Sequence, residues 1–169
     1  RALGERLADV ALNRYPAERG DVLRAELAKH AHMPDGCDIM LGNGSDELIS
    51  LLTLAADVPG NCVLAPLPGF VMYEMSAKLQ GLAFVGVPLS ADFELDEAAM
   101  LAAIERHRPT LTYIAYPNNP TANLYDEAAV ERLVAAVGAQ SAFGVFDERY
   151  QPFSPPTLSN RPARHAHVP

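Results

Sequence analysis

Two hydrophobic periodicities alternate along the chain. Short, continuous apolar runs that are typical of buried strands lie at 39–41, 62–65, 82–87, 111–115 and 142–146. Apolar residues at helical spacing fill the intervals and predict helices over 1–12, 21–31, 45–54, 70–79, 96–106 and 126–137. Strand and helix alternate from residue 39 to residue 147. This order predicts an α/β fold of three layers, with helices on both faces of a mostly parallel sheet.

Capping residues and prolines mark the ends of these elements. Residues with capping side chains stand at the starts of four helical patterns: Asp21, Ser45, Asp96 and Asp126. Gly81 and Gly138 are expected to end two helices, because glycine readily takes the left-handed conformation found there. Prolines interrupt any periodicity over 151–169, so this part is predicted to be an irregular loop.

Composition limits the classes of protein. The chain has 169 residues, of which 49% are hydrophobic and 20% charged, so it can bury one globular core. Its net charge of −8 argues against a nucleic-acid binder, because phosphate backbones require clustered Lys and Arg. No apolar run approaches membrane-spanning length. Cys37 and Cys62 lie outside metal-type spacings, so we expect no metal site and a reducing, cytoplasmic setting.

A proline-bounded loop follows the strand predicted at 111–115. Pro117 and Pro120 exclude both a continuing strand and an immediate helix, and they confine Asn118 and Asn119 to a narrow range of shapes. Ligands of α/β sheets bind at the carboxyl ends of strands, where an amide can donate and accept hydrogen bonds without adding charge. Asn-Pro is also a common turn former, and that interpretation stays open.

A glycine-rich turn opens the helix that starts near Ser45. Gly42 and Gly44 allow the backbone to turn sharply, and the free N–H groups of a helix start suit a phosphate. Asp46 and Glu47 also favour the helix dipole, so plain helix capping explains them without a ligand. The segment matches neither the Walker pattern nor the dinucleotide fingerprint.

Further candidate residues lie at other strand ends. Asp147 follows the last predicted strand, and a turn could direct Asp147 and Tyr150 at one ligand. Tyr73 lies near a helix start, where it could lie flat against a planar ligand, although core packing is the commoner role. Because the strand ends of a parallel sheet share one edge, we expect the glycine turn, Asn119 and Asp147 to converge.

Taken together, these segments resemble histidinol-phosphate aminotransferases, a branch of the fold-type-I pyridoxal-phosphate enzymes. The similarity rests on five segments in family order, up to about residue 153: Asn13-Arg14-Tyr15-Pro16, Gly42-Asn43-Gly44-Ser45-Asp46-Glu47, Pro68-Gly69-Phe70-Val71-Met72-Tyr73, Pro117-Asn118-Asn119-Pro120-Thr121 and Asp147-Glu148-Arg149-Tyr150. The resemblance implies the large domain of a fold-type-I transferase, incomplete here. We therefore divide the chain into an N-terminal arm with helices over 1–35, a partial cofactor-binding large domain over 36–153 and an irregular tail over 154–169.

The resemblance also implies roles for individual residues around pyridoxal 5′-phosphate. Tyr73 would stack on the pyridine ring, Asn119 and Tyr150 would bind its 3′-oxygen, and Asp147 would pair with the ring nitrogen. Tyr15 would reach into the partner subunit's site, which implies a homodimer. The residues expected to bind the cofactor are Ser45, Asp46, Glu47, Tyr73, Asn119, Asp147 and Tyr150, and those expected to contact the substrate are Tyr15 and Asn119.

The activity implied is amino transfer between L-glutamate and imidazole-acetol phosphate in histidine biosynthesis. The expected partners are a small phosphorylated substrate, glutamate and a second copy of the chain, with neither nucleic acid nor membrane. An aromatic aminotransferase, a threonine-phosphate decarboxylase and a non-catalytic interaction domain remain alternatives.

The sequence departs from the family pattern at several positions. Lys29 and Lys78 match no catalytic position, so the Schiff-base lysine of the family is not in this sequence. Ala122 and Arg149 stand where the family usually has a glycine and a small residue. The chain starts with Arg1 rather than Met, so we expect residues to precede it. We therefore expect a truncated, inactive front half of an aminotransferase, with exposed apolar surface and a tendency to associate.

Overall fold

The computed structural model describes residues 1–14, 17–31, 33 and 35–153. Its contacts divide the chain into two units, the first covering Arg1–Leu41 and the second beginning at Gly42. The first unit contains helix α1 (Ala2–Ala8) and helix α2 (Ala17–His30).

Two expectations for the first unit are wrong. Asp21 does not cap α2, because the helix begins earlier and Asp21 instead forms an exposed ion pair with Arg24 inside it. The apolar run at 39–41 forms no strand, and Met40 within it is exposed. Three apolar residues carry too little periodicity to define a strand without a paired neighbour.

The second unit is built on a four-stranded parallel sheet in the order β2-β1-β3-β4. Its strands are β1 (Cys62–Leu67), β2 (Ala83–Pro88), β3 (Leu111–Ala115) and β4 (Phe143–Asp147). Its helices are α3 (Ser45–Ala55), α4 (Val71–Leu79), α5 (Glu97–His107) and α6 (Glu127–Ala139), and a 3-10 turn follows at Gln151–Phe153. The alternating, mostly parallel α/β order predicted from the sequence is confirmed.

Side chains of the central strands alternate between two cores. Leu64 and Ile114 pack with residues of α5 and α6 on one face of the sheet. Val63, Leu111 and Tyr113 pack with residues of α3 and α4 on the other face. The strands are therefore buried on both sides, as in a three-layer α/β/α arrangement.

Helix ends follow the predicted capping chemistry in part. The carboxylates of Asp96 and Asp126 accept hydrogen bonds from backbone N–H groups three residues later, at 3.0 and 2.8 Å. Ser45 is not a cap, because Gly44 occupies the N-cap position and Ser45 is already helical. Gly138 does not end α6, which continues to Ala139 and is followed by Ser141 in the left-handed conformation. Within the described residues, no helix is both long and apolar enough to cross a membrane.

The two confirmed caps predict a measurable loss of stability. Replacing Asp96 or Asp126 with Ala removes the acceptor for one first-turn N–H group, and each change should lower the free energy of unfolding by about 1 kcal/mol. Urea unfolding followed by circular dichroism measures the loss. Asp92→Ala is the matched control, since Asp92 is exposed in the loop before α5. Equal losses in all three variants would contradict the capping role.

Candidate functional site

The carboxyl ends of β3 and β4 bring the main candidate residues to one edge of the sheet. Ala115 pairs with Asp147 across the two strands, and the N–H of Tyr116 donates to the carbonyl oxygen of Asp147 at 3.0 Å. Asp147 is therefore the last paired residue of β4, and the Asn118–Asn119 loop leaves β3 beside it.

The carboxylate of Asp147 is held at both oxygens. The hydroxyl of Tyr73 donates to Oδ2 at 2.8 Å, and the N–H of Arg149 donates to Oδ1 at 3.1 Å. A carboxylate oxygen has more than one acceptor direction, so Asp147 can still accept a hydrogen bond from a ligand.

The ring of Tyr73 lies in the core rather than in an open cavity. It is 2% exposed and lies parallel to the ring of Tyr113, with centroids 4.4 Å apart. The ring of Phe70 contacts it edge-on at 5.6 Å. Burial, and then the charge of Asp147, raises the pKa of Tyr73, so its hydroxyl remains a donor at physiological pH. The ring-stacking role expected for Tyr73 stays a prediction, and Phe70 is the half-buried aromatic beside it.

The glycine-rich turn forms a cavity together with the end of β4. Gly44 has a φ of 85°, a left-handed value that favours glycine, and no side chain caps the start of α3. The N–H groups of the first turn of α3 therefore have no partner within the helix and can bind an anion. The cavity has a volume of about 500 Å³ and is lined by Asn43, Gly44, Ser45, Asp46, Leu48, Asp147 and Arg149.

Glu47 acts on the turn itself rather than lining this cavity. Its carboxylate accepts a hydrogen bond from the backbone N–H of Asn43 at 2.6 Å, and the amide of the same residue also donates to it. This contact fixes the turn before α3, much as a capping-box glutamate does.

A second cavity, of about 630 Å³, contains the two other predicted residues. Asn119 and Tyr150 line it together with Pro117, Asn118, Pro120, Ala122, Leu124 and Phe153. The structure thus brings Asn119 near Tyr150, and the glycine turn near Asp147, in two neighbouring cavities at the same sheet edge. The predicted Tyr15 lies outside the described residues.

Asn118 has a structural role that the sequence analysis did not assign to it. Its side chain is buried, and its amide donates to the carbonyl of Pro68 at 3.1 Å and to the hydroxyl of Thr121 at 2.7 Å. Asn118 therefore ties the loop after β3 to the loop after β1. The adjacent Asn119 is left half-buried at the cavity.

The structure shows where the residues that depart from the family pattern lie. Ala122 adopts a φ of 62°, in the left-handed region that glycine favours. The guanidinium of the exposed Arg149 lies 5.7 Å from the ring centroid of Tyr150. Lys29 and Lys78 form exposed ion pairs within their own helices, and Lys78 lines neither cavity. Among the described residues, no group of His, Cys, Asp and Glu is arranged to hold a metal.

Comparison with known families identifies the chain. The family described as aminotransferase class I and II matches residues 1–167. The chain belongs to this family. An aminotransferase relative named histidinol-phosphate aminotransferase, from Methylibium petroleiphilum, is 67% identical over 166 residues, which are 98% of this chain and 45% of the relative. A relative of the same name from Polaromonas naphthalenivorans is 65% identical over 98% of this chain and 46% of its own length. The chain thus spans about half the length of the curated relatives it matches.

Solved aminotransferase structures share the fold. A putative histidinol-phosphate aminotransferase from Erwinia carotovora matches with a TM-score of 0.83 at 24% identity, over 96% of this chain and 48% of that one. The histidinol-phosphate aminotransferase from Sinorhizobium meliloti, solved in complex with pyridoxal-5′-phosphate, matches with a TM-score of 0.76 at 26% identity, over 91% of this chain and 41% of that one. The parallel sheet and its helices are therefore those of fold-type-I aminotransferases.

The left-handed conformation of Ala122 predicts that replacing it with glycine stabilises this aminotransferase chain. Ala122→Gly removes a Cβ clash that costs about 1–2 kcal/mol, partly offset by the greater freedom of glycine in the unfolded chain. The net effect should be a stabilisation of about 1 kcal/mol, measured by urea unfolding. The matched control is Ala102→Gly in the exposed middle of α5, which should destabilise by about 1 kcal/mol. A loss of stability in both variants would contradict the strain at Ala122.

Proposed function

We propose that the protein to which this sequence belongs transfers an amino group between L-glutamate and imidazole-acetol phosphate, with pyridoxal phosphate as cofactor. The observation that carries the proposal is that the start of α3 and Asp147 line the same cavity. The names of the relatives at 67% and 65% identity support the substrate.

The residues present fit this cofactor. First-turn N–H groups of α3, with the positive end of the helix dipole, suit the phosphate. Asp147 has acceptor capacity left for a ring N–H group, since Tyr73 and Arg149 occupy one acceptor direction at each oxygen. Asn119 and Tyr150, which share the neighbouring cavity, would bind the ring hydroxyl. Bound there, pyridoxal phosphate supplies an electron sink for a carbanion at the substrate's α-carbon.

The residues that line the two cavities would hold and orient the cofactor. None of them supplies a nucleophilic amine. A negative charge at Asp147 favours a protonated ring nitrogen, which increases the electron demand of the ring. Phe70, half-buried at the start of α4, is a candidate to face the ring in place of Tyr73. The homodimer and the cytoplasmic setting implied by the resemblance remain proposals.

The proposal predicts weak, noncovalent cofactor binding by the 169-residue chain that depends on Asp147. Asp147→Ala leaves the ring nitrogen without its charged acceptor and should weaken binding at least about tenfold. An absorbance titration with pyridoxal phosphate measures the affinity. Asp57→Ala, at an exposed acid just after α3, is the control and should bind as the unsubstituted chain does. Unchanged affinity in Asp147→Ala would place the site elsewhere.

The chain should also lack covalent attachment and turnover. Its lysines, Lys29 and Lys78, are each paired with a carboxylate on an exposed surface of their own helix, and neither matches the position of the family's Schiff-base lysine. Borohydride treatment with added cofactor, followed by mass analysis, should show no stoichiometric adduct, and glutamate should not be converted. A stable adduct on either lysine together with turnover would contradict this assignment.

The substrate itself is tested on the protein expressed from the complete reading frame. Amino transfer from glutamate is compared for imidazole-acetol phosphate and phenylpyruvate. A clear preference for imidazole-acetol phosphate is expected. Preference for phenylpyruvate would instead indicate an aromatic aminotransferase of the same fold.

The absence of a lysine from the described cavities favours one second candidate, a non-catalytic interaction domain. It predicts no cofactor affinity at all. The absorbance titration of the unsubstituted chain therefore separates the two functions directly.

A further inference from the structure

We propose that Tyr73 is a positioning residue that acts through Asp147, holding its carboxylate in the orientation that a ring nitrogen in the adjacent cavity requires. The inference rests on the proposed function, because it concerns the same site. It assigns the hydroxyl of Tyr73, rather than the face of its ring, as the functional group.

The geometry at Asp147 is that of a carboxylate fixed from two sides. The hydroxyl of Tyr73 contacts one oxygen at 2.8 Å and the backbone N–H of Arg149 contacts the other at 3.1 Å. A carboxylate bound at one oxygen only can rotate about its Cβ–Cγ bond, because this terminal torsion is broad. The second contact removes that freedom, so the acceptor directions left for a ligand are set before the ligand arrives.

The side chain of Tyr73 is itself held in place by packing, so it can fix the orientation of the Asp147 carboxylate. Its ring lies parallel to that of Tyr113, and Phe70 closes its edge. Because only 2% of Tyr73 is exposed, its ring has no free face to offer a planar ligand in this arrangement. The burial and nearby negative charge that raise the pKa of Tyr73 also keep its hydroxyl protonated, and therefore a donor.

The same contacts connect the two walls of the cavity. The hydroxyl of Tyr113 donates to the carbonyl of Ile49 at 3.4 Å and lies 3.5 Å from the hydroxyl of Thr53, both in α3. The stacked pair thus links α3, whose first turn would hold the phosphate, with the carboxylate of Asp147. This pair of tyrosines would therefore help to set the distance between the start of α3 and the carboxylate of Asp147.

Tyr73→Phe tests the proposal because it keeps the ring and its packing while removing the hydroxyl. The affinity of the 169-residue chain for pyridoxal phosphate, measured by absorbance titration, should fall about tenfold, as for a lost hydrogen bond to a charged group. Its affinity for inorganic phosphate, measured by phosphorus NMR titration, should not change, since phosphate is proposed to bind the start of α3 and not Asp147. In an Asp147→Asn background, Tyr73→Phe should have no further effect.

Tyr125→Phe is the matched control. Tyr125 is also buried, on the other face of the sheet, and its hydroxyl has no hydrogen-bond partner among the described residues. Removing that hydroxyl should leave both affinities unchanged. Near-ultraviolet circular dichroism checks that each variant keeps its packed core.

The outcomes separate the inference from the function on which it rests. If Asp147→Asn weakens cofactor binding and Tyr73→Phe does not, the positioning role is wrong and the proposed function stands. If Tyr73→Phe weakens phosphate as much as the cofactor, Tyr73 supports the fold in general and the inference is overturned. If the unsubstituted chain binds no cofactor, or Asp147→Asn has no effect, the proposed function fails and the inference with it.

Discussion

The arrangement of the site depends on the parallel pairing of β3 with β4. That pairing ends at Ala115 and Asp147, with the hydrogen bond from the N–H of Tyr116 to the carbonyl of Asp147 closing it. One further residue of pairing would carry Asp147 into the sheet, and one fewer would release it into a loop. Because register in a sheet fixes the direction of every side chain, this single ladder determines which face Asp147 presents and where the Asn118 loop begins.

Polar contacts between loops then convert that sheet edge into a defined surface. The loop after β3 is bound to the loop after β1 through Asn118 and Pro68, and to the loop after β2 through Asn123, whose amide donates to the carbonyl of Phe93 at 2.9 Å. Buried polar groups that are hydrogen-bonded favour one loop conformation over others. The left-handed Ala122 lies within the loop that these contacts hold, which explains how a strained residue is kept there.

Much of the fold was accessible from the sequence because its signals are local. Continuous apolar runs located all four strands of the sheet, and Asp96 and Asp126 marked true helix starts. The contacts of Tyr73 could not be read in this way, because its partner Asp147 lies 74 residues away and only the packed structure shows that its hydroxyl reaches that carboxylate. The expectation that Gly138 ends α6 was wrong for a related reason. Packing of α6 against the sheet, where Val137 is fully buried, outweighs the local tendency of glycine to end a helix.

The stacked tyrosines beneath the cavity have an optical consequence. The chain contains six tyrosines and no tryptophan, so tyrosine dominates its near-ultraviolet absorption. Two of these rings, Tyr73 and Tyr113, lie nearly parallel at van der Waals separation, with an angle of 4° between their planes. Aromatic rings that are held in fixed packing give a near-ultraviolet dichroic signal that is lost when the packing is lost. The protein therefore carries an intrinsic chromophore pair at its candidate site, and the shape of that signal reports the order of the site without any attached label.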